Sequence, residues 1–181
     1  LLKGSWLVER AATSGEPLPR RQDLPSEALW SPGRLVGKYE NPKAGHRPPN
    51  LIVVSYCWHT RQHPDPSATQ MKLLAQVLRW SHASPFRSDD TAVFLDWCSL
   101  YQVPRTEQQE QVFMRALSHF MNIWYAHSMT DVLMMTDVPP DAEICRPYHG
   151  RGWPTFECCV SGLISQFRTT GTGVYDLGWL A

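Results

Sequence analysis

The sequence predicts an α/β domain of three layers, with a mostly parallel central sheet and an irregular N-terminal arm. Three observations carry this prediction. Residues 51–54, 91–95 and 131–135 are near-continuous apolar runs, the pattern of strands covered on both faces. Segments with apolar residues at helical spacing alternate with them, which is the order of a parallel sheet with helices on its faces. Prolines crowd the first fifty residues, at 17, 19, 25, 32, 42, 48 and 49, and break any regular element there.

Taken in order, residues 1–49 read as a Pro-rich arm packed on the domain, and residues 50–181 as the domain itself. Within the arm a short helix is expected over 24–30, opened by Pro25 and Ser26, with Trp6, Trp30 and Tyr39 as anchors. The first strand, 51–54, runs into Ser55, Tyr56, Cys57 and Trp58, and a polar loop follows over 59–66. Ser67 reads as the N-cap of a helix reaching Ser81, with Met71, Leu74, Val77 and Leu78 on one face. After a loop over 85–90, the second strand ends at Asp96, Trp97 and Cys98. A loop over 99–106 leads to a long helix, 107–126, whose Val112, Phe113, Ala116, Leu117, Phe120, Met121 and Trp124 form one apolar stripe. The third strand ends at Thr136 and Asp137, and a loop over 138–152 precedes a helix over 154–167. A short strand is expected near Val174 and Tyr175.

Composition narrows the function classes. A chain of 181 residues with 43% hydrophobic side chains holds one core, two only if both are small. Seventeen basic against seventeen acidic residues give no net charge, which argues against a nucleic-acid partner. No apolar run reaches membrane-spanning length. Five cysteines, one adjacent pair among them and no regular spacing, do not form a secreted disulfide framework, so a reducing, cytoplasmic location is expected.

Right-handed crossovers bring the C-terminal ends of parallel strands to one edge of the sheet, where ligands of such folds bind. Ser55 to Trp58, Asp96 with Trp97, and Thr136 with Asp137 should meet there. The segment Arg151-Gly152-Trp153-Pro154-Thr155-Phe156-Glu157 opens the next helix at the same edge, with Trp153 and Glu157 one turn apart.

The segments Leu51-Ile52-Val53-Val54-Ser55-Tyr56-Cys57-Trp58, 93–102 (Val-Phe-Leu-Asp-Trp-Cys-Ser-Leu-Tyr-Gln) and 151–157 occur in the order and spacing of a known family. Over residues 50–165 the chain resembles the Toll/interleukin-receptor (TIR) fold, which is flavodoxin-like. Within it, the chain is similar to the heterokaryon-incompatibility (HET) domains. The resemblance implies a hydrolase that cleaves the nicotinamide–ribose bond of NAD in self/non-self, cell-death or stress signalling, with NAD as substrate and no cofactor required. It places Glu157 as the catalytic carboxylate, and implies Ser55, Tyr56, Trp58, Asp96, Trp97, Arg151 and Trp153 around the nucleotide. It also implies a homo-oligomer through helix faces; other members of the family act as non-catalytic scaffolds.

Each assignment has a plainer alternative. Breaking that bond passes through an oxocarbenium-like state that a nearby carboxylate stabilises, and nicotinamide leaves as a neutral ring without a metal. Glu157 suits this role, but a glutamate in a helix's first turn also complements the helix dipole, worth about 0.3–1 kcal/mol. Tyr56, Trp58 and Trp97 suit stacking on adenine or nicotinamide, or closing the core at strand ends. Ser55 offers a hydrogen bond to ribose or phosphate, or forms a turn. Asp96 pairs with Arg151 or caps a loop. Arg61, Arg105 and Arg151 are pyrophosphate candidates, or ordinary solvated or paired arginines. Cys57, His59 and His63, with Cys158 and Cys159, lack the spacing of a structural zinc site, so no metal is expected. Cys57 is a candidate nucleophile in a Cys/His pair. No glycine-rich phosphate loop follows a strand; Gly171-Thr172-Gly173 follows a helix.

Overall fold

The computed structural model describes residues 1–35, 49–82, 90–167 and 172–180. Its sheet has five strands in the order β1-β3-β2-β4-β5. These are β1 (Leu2–Lys3), β2 (Asn50–Tyr56), β3 (Thr91–Phe94), β4 (Thr130–Met135) and β5 (Val174–Asp176). β2 lies at the centre, parallel to β3 on one side (Ile52 opposite Val93) and to β4 on the other (Ser55 opposite Met134). β5 extends the parallel run, and β1 closes the far edge antiparallel to β3. The α/β class and the mostly parallel sheet agree with the sequence, and the order of the parallel strands is compatible with a flavodoxin-like fold.

Helices α1 (Gly4–Thr13) and α2 (Thr69–His82) pack together on one face. There Leu2, Leu7, Ile52, Val54, Met71, Leu74, Leu78, Val93, Leu133 and Met135 form the main core. The other face is thinner: Val53, Phe94, Met121, Tyr125 and Val132 form its buried cluster. The alternation of Ile52 and Val54 with Val53 and Ser55 follows from the two-residue period of a strand. It sends Ser55, a hydroxyl, onto the face that carries α6 (Gly152–Leu163).

Several local expectations are corrected. The first thirteen residues are not irregular: they supply β1 and α1, and Leu2 and Leu7 are fully buried. In place of a helix over 24–30 there are two 3-10 turns, Arg21–Asp23 and Ser26–Ala28. Trp30 anchors the segment by donating its indole N–H to the Thr91 carbonyl; Tyr39 and most of the loop at 85–90 lie outside the described residues. Asp65, not Ser67, caps α2, accepting from the backbone N–H groups of Thr69 and Met71 at 2.9 and 2.8 Å. Asp96–Ser99 forms a helical turn, α3, where a strand end and loop were expected.

The long helix is two. A Thr106–Gln109 capping box opens α4 (Glu107–His119) where predicted. At Phe120 the backbone leaves helical geometry, and α5 (Met121–Ala126) begins. The predicted stripe is therefore only half buried. Met121 enters the core, whereas Val112, Leu117 and Phe120 stay exposed, and no residue of α4 is buried.

Candidate active site

α6 is amphipathic in the unusual sense. Its buried positions are Pro154, Glu157 and Ser161, three and four residues apart, while Trp153, Phe156 and Leu163 face outward. A polar inward stripe on a helix with apolar outward residues breaks local patterning, and such breaks concentrate at functional sites. Pro154 fits the first turn, where its missing N–H leaves no hydrogen bond unmade. Glu157 lies in the second turn, since the helix starts at Gly152 and its first turn has no acidic residue. The dipole reading of Glu157 is thereby corrected, because that interaction fades within the first turn.

Glu157 is 3% exposed. Its Oε2 accepts from Ser55 Oγ at 2.5 Å, and Ser55 Oγ lies 2.5 Å from the Tyr148 hydroxyl. Tyr125 and Trp153 also hydrogen-bond the carboxylate through their side chains. Burial pushes Glu157 up to about 7; the Ser55, Tyr125 and Trp153 hydrogen bonds oppose that rise, and the nearby charge of Asp96 adds to it. No ion pair to Glu157 occurs among the described residues. A carboxyl group poised near neutrality, without a cationic partner, is suited to switching between acid and carboxylate.

It opens onto a cavity of about 260 Å³, lined by Tyr56, Trp58, Asp96, Tyr125, Arg151, Trp153, Pro154 and Glu157. The cavity lies at the C-terminal ends of β2 and β3, where the topology of an open parallel sheet places its ligands. Asp96, at the start of α3, accepts from the Tyr56 hydroxyl, from the Trp97 backbone N–H and from the Trp58 side chain. Burial nonetheless raises its pKa, with those bonds acting against the rise. It makes no ion pair with Arg151, so of its alternatives the pairing is corrected. Tyr56 is held protonated by burial and by its bond to Asp96.

Six of the predicted residues, Tyr56, Trp58, Asp96, Arg151, Trp153 and Glu157, meet at this cavity. Ser55 sits behind Glu157, fully buried. Trp97 does not reach the cavity. It is buried in the main core, donates its indole N–H to the Leu18 carbonyl at 2.8 Å, and meets Trp58 edge-on at 5.4 Å. Its stacking assignment is corrected to a support beneath Trp58. Arg151 lines the cavity, but its guanidinium donates to the carbonyls of Trp58, Ile144 and Arg146 at 2.6, 2.6 and 2.8 Å. These bonds brace the walls and leave the group less available to a phosphate.

Arg105 stacks 3.8 Å from the Phe113 ring and pairs with Glu110, away from the cavity. Thr136 bonds Asp176, and Asp137 lines a separate small cavity with His59 and Gln70, so the third strand end does not join the first two. Cys57 is fully buried and its thiol is pushed up to about 11 by burial, which disfavours it as a nucleophile. Among the described residues no His, Cys, Asp and Glu group is arranged to hold a metal.

Sequence reasoning missed Tyr125 and Tyr148. Tyr125 lies one residue before the end of α5 and is held by Ser161, whose hydroxyl donates to its carbonyl at 3.3 Å. Tyr148 opens a 3-10 turn just before α6. Each is an isolated tyrosine outside the strand ends, so only its placement in space marks it.

No family model, curated protein or solved structure matches the chain. The functional reading therefore rests on the chemistry of the cavity. Among the described residues, no helix is long and apolar enough to cross a membrane.

Proposed function

We propose that this protein is a TIR- or HET-like hydrolase that cleaves the nicotinamide–ribose bond of NAD, with Glu157 as the reacting carboxylate. The observation that carries the reading is a buried, unpaired glutamate, held by hydroxyls and an indole, at the wall of a cavity flanked by Trp58 and Trp153. In this reading the cationic nicotinamide ring stacks on the indoles. Ionised Glu157 faces the ribose and stabilises positive charge as the bond breaks. Nicotinamide departs with the bonding electron pair as a neutral ring, and water supplies the hydroxyl at the ribose carbon and loses a proton. The three-layer sheet, with acidic and aromatic side chains at its C-terminal edge, is compatible with that family.

A second reading, a self-associating module that scaffolds signalling, is favoured by a specific observation. Val112, Met114, Leu117, Phe120 and Ile123 leave α4 and α5 with an uncovered apolar side. Nicotinamide release by purified protein, compared with Glu157→Ala and followed over a range of protein concentrations, separates the two. Release that vanishes in a folded Glu157→Ala supports the hydrolase. Assembly of the wild type without any release supports the scaffold.

A further inference from the structure

We propose that Tyr148 is a positioning residue for Glu157: acting through Ser55, its hydroxyl holds Oε2 of the carboxylate at the accepting end of a one-way hydrogen-bond chain. The direction follows from counting protons. Ser55 has one hydroxyl proton and two partners, Glu157 Oε2 and Tyr148 Oη, each at 2.5 Å. If Ser55 donates to Glu157, Tyr148 donates to Ser55, and every group in the chain is satisfied. In the reverse direction a protonated Oε2 donates to Ser55 and Ser55 donates to Tyr148. The Tyr148 proton then needs another acceptor, and its hydroxyl has no other partner among the described residues. Tyr148 is buried, and a buried donor left unmatched is unfavourable. The chain thus favours an ionised Oε2 and resists a proton there.

The groups around Glu157 come from every element packed against it. Ser55 and Cys57 come from β2 and its end, Tyr125 from α5, Asp96 from α3, and Tyr148 from the turn before α6. Arg151 and Trp153 come from the start of α6 itself. Burial and Asp96 disfavour the charge, whereas Ser55, Tyr125 and Trp153 favour it. Tyr148 is a net stabiliser of the charge only through Ser55; its direct effect on Glu157 is that of a neutral neighbour, kept protonated by its own burial. The inference depends on the hydrolase reading only for its consequence in turnover.

The test is the titration of Glu157 in the full chain, followed by carboxyl-carbon NMR with selectively labelled glutamate and assigned by loss of the signal in Glu157→Gln. Tyr148→Phe removes the donor that polarises the Ser55 hydroxyl, so the bond from Ser55 to the ionised carboxylate weakens. The expected shift is upward by roughly a few tenths of a unit. Ser55→Ala should shift it further, and adding Tyr148→Phe to Ser55→Ala should shift it no more, because the effect travels through Ser55. A fluorinated tyrosine placed at 148, a stronger donor of nearly the same shape, should move Glu157 downward and keeps the test available if Tyr148→Phe does not fold. An unmoved Glu157 in either folded variant, or an equal shift with Ser55 already removed, overturns the proposal. The rising limb of NAD turnover should move with the titration. A moved titration with no turnover in any variant preserves the positioning role and sinks the hydrolase reading; Glu157-dependent turnover with an unmoved titration does the reverse.

Discussion

Asp65 and Glu157 are both buried carboxylates in this small domain, and they are held in opposite ways. Asp65 points both oxygens at backbone N–H groups of α2, those of Thr69 and Met71, and so fixes where the helix begins. Its partners cannot rearrange without undoing the helix. Glu157 sits in the second turn of α6 and is held by side chains, Ser55, Tyr125 and Trp153, at the edge of a cavity. Side-chain partners can reorient with protonation. The contrast shows that burial of an acid is not itself a functional signal; the identity of its donors and the size of the adjoining space are, since Asp65 borders a cavity of only about 20 Å³ and Glu157 one of about 260 Å³.

The largest expected effect comes from exchanging each acid. Glu157→Gln should reduce nicotinamide release by about 100- to 1,000-fold or more, the scale on which loss of a transition-state-stabilising group is felt. It should also stabilise the fold at alkaline pH. Glu157 rises from 4.5 when unfolded to about 7 when folded, so the native state binds more protons between those values. Wild-type stability therefore falls as pH rises through that window, by on the order of 3 kcal/mol once fully ionised. Thermal denaturation at pH 5 and pH 8.5 reads the difference: the variant should gain on wild type at the higher pH only. An equal gain at both values would break the comparison.

Asp65→Ala should behave inversely. Loss of the cap should cost about 0.5–2 kcal/mol, visible as a melting temperature lower by several degrees, with turnover per folded molecule unchanged. Smaller again are the wall substitutions. Trp58→Ala and Trp153→Ala should each weaken binding of a nicotinamide cation by roughly two- to fivefold, on a stacking contribution of about 0.5–1 kcal/mol. Trp58→Ala should have the larger effect on stability, because it also removes the edge contact with Trp97. The smallest change in stability is expected for Leu117→Glu with Phe120→Glu, within about 0.5 kcal/mol per site, because both side chains are exposed. Sedimentation velocity shows whether the same pair abolishes self-association.

What was legible in the sequence is what alternation and spacing encode. β2, β3 and β4 are legible as apolar runs, and the helical character of α4 in the stripe that begins at Val112. The C-terminal edge gathered Tyr56, Trp58, Asp96 and Glu157 as the βαβ order requires. β1 was missed because a two-residue strand carries no period, and its position is set by pairing with β3. Trp97 was misassigned because a tryptophan at a strand end reads the same whether its indole finds a ligand or the Leu18 carbonyl. The break at Phe120 was hidden because the apolar stripe continues across it in sequence while the backbone does not. Tyr125 and Tyr148 were invisible because their relevance depends on the distance to Ser55 and Glu157, which spacing along the chain does not encode.

The most direct test of the central claim is the rate of nicotinamide release from NAD as a function of pH, for wild type and for Glu157→Gln. If ionised Glu157 is the reacting group, the wild-type rate should rise about tenfold per pH unit below an inflection near 7 and level off above it. The variant should stay at background across the whole range while keeping its fold. A variant that retains the wild-type rate, or a wild type that releases no nicotinamide at any pH or protein concentration, would contradict the account.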